Sequence, residues 1–174
     1  MCLVLAIRVP AAAPDTRPNV VFIISDDQGW ADYGFMGHTQ IQTPNLDRLA
    51  GESLTFTRGY SPVPLCRPSL ASIVTGLYPH QHGVTGNDPE LPDKGVNAMA
   101  ARGNPKYARY YDTVIENFRK RPNLVRDLTA RGYVAPQTGK WWEGDPVKTA
   151  GFTQAMTQGD AQGSRHGDAG LDIA

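Results

Sequence analysis

The sequence predicts an α/β fold, a mainly parallel sheet flanked by helices, on three observations. Residues 19–25, Asn-Val-Val-Phe-Ile-Ile-Ser, form a continuous apolar run rich in β-branched side chains, the mark of a strand buried on both faces. Helical stretches with visible start and stop residues recur at 43–51, 66–76 and 123–132. Strand-like runs at 53–60 and 133–138 follow the first and last of them, and alternating helices and strands build a parallel sheet.

Taken in order, residues 1–17 read as a signal-peptide-like leader and linker: a short apolar core, then an Ala-x-Ala site at Ala11 and Ala13. A basic start is missing and Arg8 interrupts the core, but the pattern predicts export, to the periplasm or outside the cell. Removing the leader takes Cys2 with it and leaves Cys66 as a lone thiol with no partner for an internal disulfide. The strand at 19–25 ends in Asp26 and Asp27. Ligands of open α/β sheets bind beyond the carboxyl ends of strands, and paired carboxylates are hard oxygen ligands of the kind Ca²⁺ or Mg²⁺ takes. The same pair also suits a turn or a helix cap. Thr43 as N-cap, Pro44 in the first turn and Gly51 as a stop frame the next helix, with Leu46, Leu49 and Ala50 as its apolar face.

The second helix signal carries the chemistry. Cys66 stands two residues before Pro68, which the first helical turn tolerates. Leu70, Ile73, Val74 and Leu77 follow at helical spacing and predict a core face, and Gly76 predicts the stop. Cys66 thereby lies at a helix N-terminus, where backbone N–H groups and the dipole favour anions. His80 and His82 lack the further ligands of a zinc set nearby, so local hydrogen bonding is expected of them. Residues 85–122 show no clear period beyond a short helical stretch at 113–118 and are expected to be a solvated loop. The helix at 123–131, stopped by Gly132, feeds a strand at 133–138 that Pro136 assigns to an edge. That strand delivers Gly139, Lys140, Trp141 and Trp142 to the same sheet edge as Asp26 and Asp27. The tail from residue 151 is rich in Gly and Asp and has no closing element.

Composition narrows the rest. Seventeen basic residues balance 17 acidic ones, which gives no electrostatic case for nucleic acid or a membrane surface. No apolar run is long enough to cross a bilayer. The 18 glycines and 14 prolines predict a loop-rich chain.

The run Cys66-Arg67-Pro68-Ser69-Leu70, with Thr75 and Gly76 after it, resembles the signature of the type I sulfatases, in the alkaline phosphatase-like superfamily. Cys66, Pro68, Ser69, Thr75 and Gly76 match; Leu70 stands where that family has arginine. The stretches Asp26-Asp27-Gln28-Gly29-Trp30, residues 43–51 and Gly139-Lys140-Trp141 resemble the family as well, with Trp142 at the position of its histidine. The resemblance covers about residues 17–151. It implies that residues 18–174 are the N-terminal part of a sulfatase catalytic domain whose remaining metal and catalytic residues lie elsewhere.

What the resemblance further implies is sulfate ester hydrolysis. A maturation enzyme would convert Cys66 to formylglycine, whose hydrate carries one hydroxyl to attack sulfur and another to expel sulfate. Asp26, Asp27 and the Cys66-derived group would hold Ca²⁺, and Lys140 would bind the sulfate of a sulfated small molecule or glycan. Leucine at position 70 can donate no hydrogen bond, and indole at 142 only donates. Arg67 points elsewhere around the helix and is not an automatic substitute. Two alternatives stay open: a phosphate or phosphonate ester hydrolase of the same superfamily, and a non-catalytic sulfo-ligand binder.

Overall fold

A computed structural model describes residues 16–88 and 105–156. The leader up to residue 15, with Cys2, and the tail from residue 157 lie outside the described residues. The chain divides into two compact units, Met1–Thr55 and Phe56–Ala174.

The first unit holds a 3-10 turn, Gly34–Met36, and helix α1, Pro44–Glu52. Thr43 precedes α1 as predicted, but its hydroxyl does not cap the helix backbone. It donates to Asp47 Oδ1 (2.7 Å) and accepts the Gly34 N–H (2.8 Å), while the Phe35 N–H also reaches Asp47 Oδ1 (2.9 Å). The 3-10 turn is thus tied to α1 through one carboxylate. Any side chain on Gly34 would run into that carboxylate.

Two expected strands are not formed. Residues 16–25 have no ladder, and Val21 and Ile23 are 78% and 86% exposed. A strand is held by its neighbours' N–H and C=O groups, and among the described residues no strand lies beside this run. Residues 53–60 are likewise turn and irregular chain. The apolar face expected of α1 is also largely uncovered, with Leu49 55% exposed.

The second unit contains the core. In order it has α2 (Cys66–Thr75), α3 (Pro79–His82), α4 (Pro105–Arg119), α5 (Leu124–Ala130), β1 (Pro136–Gln137), α6 (Pro146–Ala150) and β2 (Gln154–Ala155). β1 and β2 are parallel, Pro136 opposite Gln154 and Gln137 opposite Ala155, with α6 between them in sequence. This is an α/β architecture with a small parallel sheet. Pro136 has no N–H to give, and in a two-stranded sheet every strand is an edge. Asn123 starts α5 by accepting the N–H groups of Val125 and Arg126, and Gly132, at φ 84°, follows its end.

Ala71, Val84, Phe118, Trp141 and Ala150 form the core, with Val74, Val114 and Phe152 against it. Trp141 meets Phe118 and Phe152 edge-on, at 5.8 and 5.6 Å between centroids, the favoured aromatic geometry. Helix α4 replaces much of the expected loop. Its buried face is Tyr107, Tyr111 and Phe118, a helical stripe concealed by the polarity of tyrosine. Both hydroxyls are bonded, Tyr107 to Asp88 Oδ1 and Tyr111 to the Trp142 carbonyl, each at 2.6 Å.

The buried face of α2 also differs from expectation. Arg67, Pro68, Ala71, Ser72 and Thr75 are buried, whereas Leu70 and Val74 are half-buried and Ile73 is 39% exposed. Turned this way, the helix brings Arg67 to a buried charged partner, Glu143.

Candidate active site

Cys66 is the first residue of α2 and its thiol is free and half-buried. The residue before it, Leu65, is extended and has no side chain able to cap the helix. The first turn is satisfied differently. Arg67 gives its backbone N–H to Asn87 Oδ1 at 3.0 Å, Pro68 has none to give, and the Ser69 N–H closes the first helical bond onto Leu65 O at 3.1 Å. The Ser61 hydroxyl donates to Val63 O at 2.8 Å, so Ser69, 2.9 Å away, donates to Ser61 and draws the approach loop onto the helix. At the other end the Thr75 hydroxyl bonds back to Ala71 O (2.7 Å), and Gly76, at φ 69°, gives its N–H to Ser72 O (2.8 Å). A left-handed stop of this kind suits glycine. Pro68, Ser69, Thr75 and Gly76 therefore each shape the helix that presents Cys66.

His82 is fully buried. Its Nδ1 accepts the Val84 N–H at 3.0 Å, which leaves the ring proton on Nε2, 3.0 Å from Ser72 Oγ. Burial lowers its pKa, helped by the positive charges of Arg121 and His80 and opposed by the Pro68 carbonyl. The local bonding expected of this histidine is what the structure has. His80 is exposed and stacks on Tyr78.

Arg67 was set aside in the sequence, yet it is buried and all three of its guanidinium nitrogens are bonded. Nε and one terminal nitrogen hold both oxygens of Glu143, at 2.6 and 2.9 Å, and the other terminal nitrogen gives to Asn87 O at 3.3 Å. The guanidinium carbon lies 4.4 Å from the centre of the Tyr111 ring. Burial alone would push the Arg67 pKa down, but the hydrogen bonds and charge of Glu143 outweigh it and the pKa rises. The signal in the sequence was an arginine beside the cysteine and a glutamate just past Lys140.

Lys140 is half-buried, with Nζ 5.6 Å from the centre of the Trp142 ring, and Trp142 is buried. The structure thus joins the Cys66 turn to the Lys140 loop through Arg67 and Glu143. Asp26 and Asp27 belong to the other unit and form an exposed bend, Asp27 at φ 54°. Aspartate is among the few residues that visit this left-handed region. Two adjacent, exposed carboxylates are a donor set that fits a hard cation such as Ca²⁺.

Residues 18–166 match the family model described as Sulfatase. Arylsulfatase A of Homo sapiens is 38% identical over 141 residues, 81% of this chain and 23% of that protein. N-acetylgalactosamine-6-sulfatase of Canis lupus familiaris is 32% identical over 131 residues, 75% of this chain and 23% of that protein. The ulvan-active sulfatase of Formosa agariphila is 42% identical over 79 residues, 45% of this chain and 16% of that protein. The chain spans less than a quarter of the length of these curated relatives. No solved structure matches it significantly. With most of its length matched by one family model, and with that family's cysteine signature accounted for at a helix N-terminus, this chain belongs to the sulfatase family.

Proposed function

We propose that residues 18–174 are the N-terminal part of the catalytic domain of an exported sulfuric ester hydrolase, acting on a sulfated small molecule or glycan. The observation that carries this reading is Cys66 at the first position of α2, with Pro68, Ser69, Thr75 and Gly76 each committed to shaping that helix. Cys66 is the nucleophile position, converted to formylglycine by a maturation enzyme and its oxidant. The hydrated aldehyde would carry two hydroxyls: one attacks sulfur as the ester S–O bond breaks and the alcohol leaves, and the other loses its proton and expels sulfate, restoring the aldehyde. Asp26, Asp27 and the Cys66-derived group would hold Ca²⁺, which would supply positive charge to offset that of the sulfate. Lys140 takes a sulfate oxygen with its ammonium and offsets the charge that builds as the ester bond breaks. Trp142 has no basic nitrogen, so it exchanges no proton with the leaving alcohol.

Mass spectrometry of the Cys66 peptide from the native host tests this. Sulfur and two hydrogens leave and one oxygen enters, so the peptide should be about 18 Da lighter than the encoded sequence. Cys66→Ala should abolish turnover of an aryl sulfate. One observation favours the non-catalytic binder: position 70 carries leucine, and the neighbouring Arg67 is already committed to Glu143. Unmodified Cys66 and no turnover in native protein would establish that second reading.

A further inference from the structure

We infer that Arg67, Glu143 and Tyr111 form a clamp that positions Lys140 for an anion, acting through Lys140 and not by touching the ligand. The inference rests on the reading of Lys140 as a sulfate-binding residue. Arg67 follows Cys66 directly, and Glu143 lies just beyond Trp142. The two side chains meet in a buried, two-pronged pair, Nε to Oε1 at 2.6 Å and the terminal nitrogen to Oε2 at 2.9 Å. A planar fork on a carboxylate fixes orientation as well as distance. The face of the same guanidinium rests on the Tyr111 ring, and the Tyr111 hydroxyl donates to the Trp142 carbonyl at 2.6 Å. Trp142 is therefore held at its own backbone and again at the next residue.

The consequence falls on Lys140. Its ammonium lies over the Trp142 indole, 5.6 Å from the ring centre. Lysine is a flexible four-carbon stem carrying a point charge, and an aromatic face nearby restricts where that charge sits. A fixed indole gives a fixed seat. The pair is also an expensive way to gain stability, since apolar side chains of similar size often serve as well in its place. Geometric control of the loop that carries Lys140 gives it a purpose.

A double-mutant cycle on the full-length protein tests the clamp, with inorganic sulfate as the probe and calorimetry as the readout. Lys140→Ala and Glu143→Gln are each expected to raise the sulfate Kd about tenfold, and the double variant no further than Lys140→Ala alone, because coupled residues are non-additive. Binding stoichiometry should hold throughout. A purely structural role would instead lower the stoichiometry, by unfolding part of the sample, and leave Kd unchanged; that result overturns the clamp. Losses that multiply to about a hundredfold overturn it too. Should Glu143→Gln fail to fold, Tyr111→Phe carries the same cycle, since it removes one hydrogen bond and keeps the ring. Aryl sulfate turnover, measured in parallel, separates the two readings. A non-additive cycle without turnover supports the clamp and sinks the hydrolase. Turnover with an additive cycle does the reverse. Wild-type protein that binds no sulfate overturns the clamp.

Discussion

His82 is a histidine that the fold needs uncharged. Its Nδ1 accepts the Val84 N–H, so a second ring proton would set two donors against each other in a buried site. The folded-state pKa lies below the ordinary 6.5, and the unfolded chain therefore binds the proton more readily. Stability is then complete above about pH 6.5 and falls as the pH drops below it, by up to about 1.4 kcal/mol per pH unit until the folded group itself titrates. Urea unfolding from about pH 7.5 down to about pH 5 should show this slope, and His82→Gln should flatten it. An unchanged slope in that variant would assign the acid sensitivity to other groups.

At the scale of elements, the capped helices were legible, whereas of the three expected strands only the one at 133–138 is formed in part, as β1. A helix carries its own hydrogen bonds and its own punctuation, which is why Pro44, Gly76, Asn123 and Gly132 marked boundaries correctly. A strand borrows its partners from elsewhere in the chain. Residues 19–25 have every local trait of a buried strand, and among the described residues they have no neighbour to pair with. Helix α4 was hidden because Tyr107 and Tyr111 read as polar, when their hydroxyls are in fact satisfied internally. The candidate site was legible where it follows family pattern: Cys66 and Lys140 were singled out from motif alone. Arg67 and Glu143 were not, since a charged side chain reads as a solvated one until its partner is known.

For the molecule as a whole, the uncovered run is the chief liability. Val20, Val21, Phe22, Ile23 and Ile24 are 49%, 78%, 62%, 86% and 50% exposed. An unpaired, uncharged, β-branched segment is a template for association with other chains. The 174-residue chain on its own should therefore self-associate at micromolar concentration, visible by light scattering, and Ile23→Lys should shift it toward monomer. Equal scattering from both would place the sticky surface elsewhere, with the exposed Leu54 and Phe56 as the next candidates.

Arg67 and Glu143 are 76 residues apart, and that separation has a kinetic meaning. The contact cannot reward the chain until a long loop has closed, whereas the backbone hydrogen bonds of α2 and α4 span only a few residues. The pair is therefore expected to form late in folding and to break early in unfolding. Interactions absent from the transition state govern how fast the native state is lost, not how fast it is reached. Glu143→Gln should accordingly steepen the loss of native protein with time in denaturant while refolding keeps its wild-type rate, which stopped-flow measurement of both directions would resolve. The clamp, read this way, is a timer on the folded lifetime of the second unit.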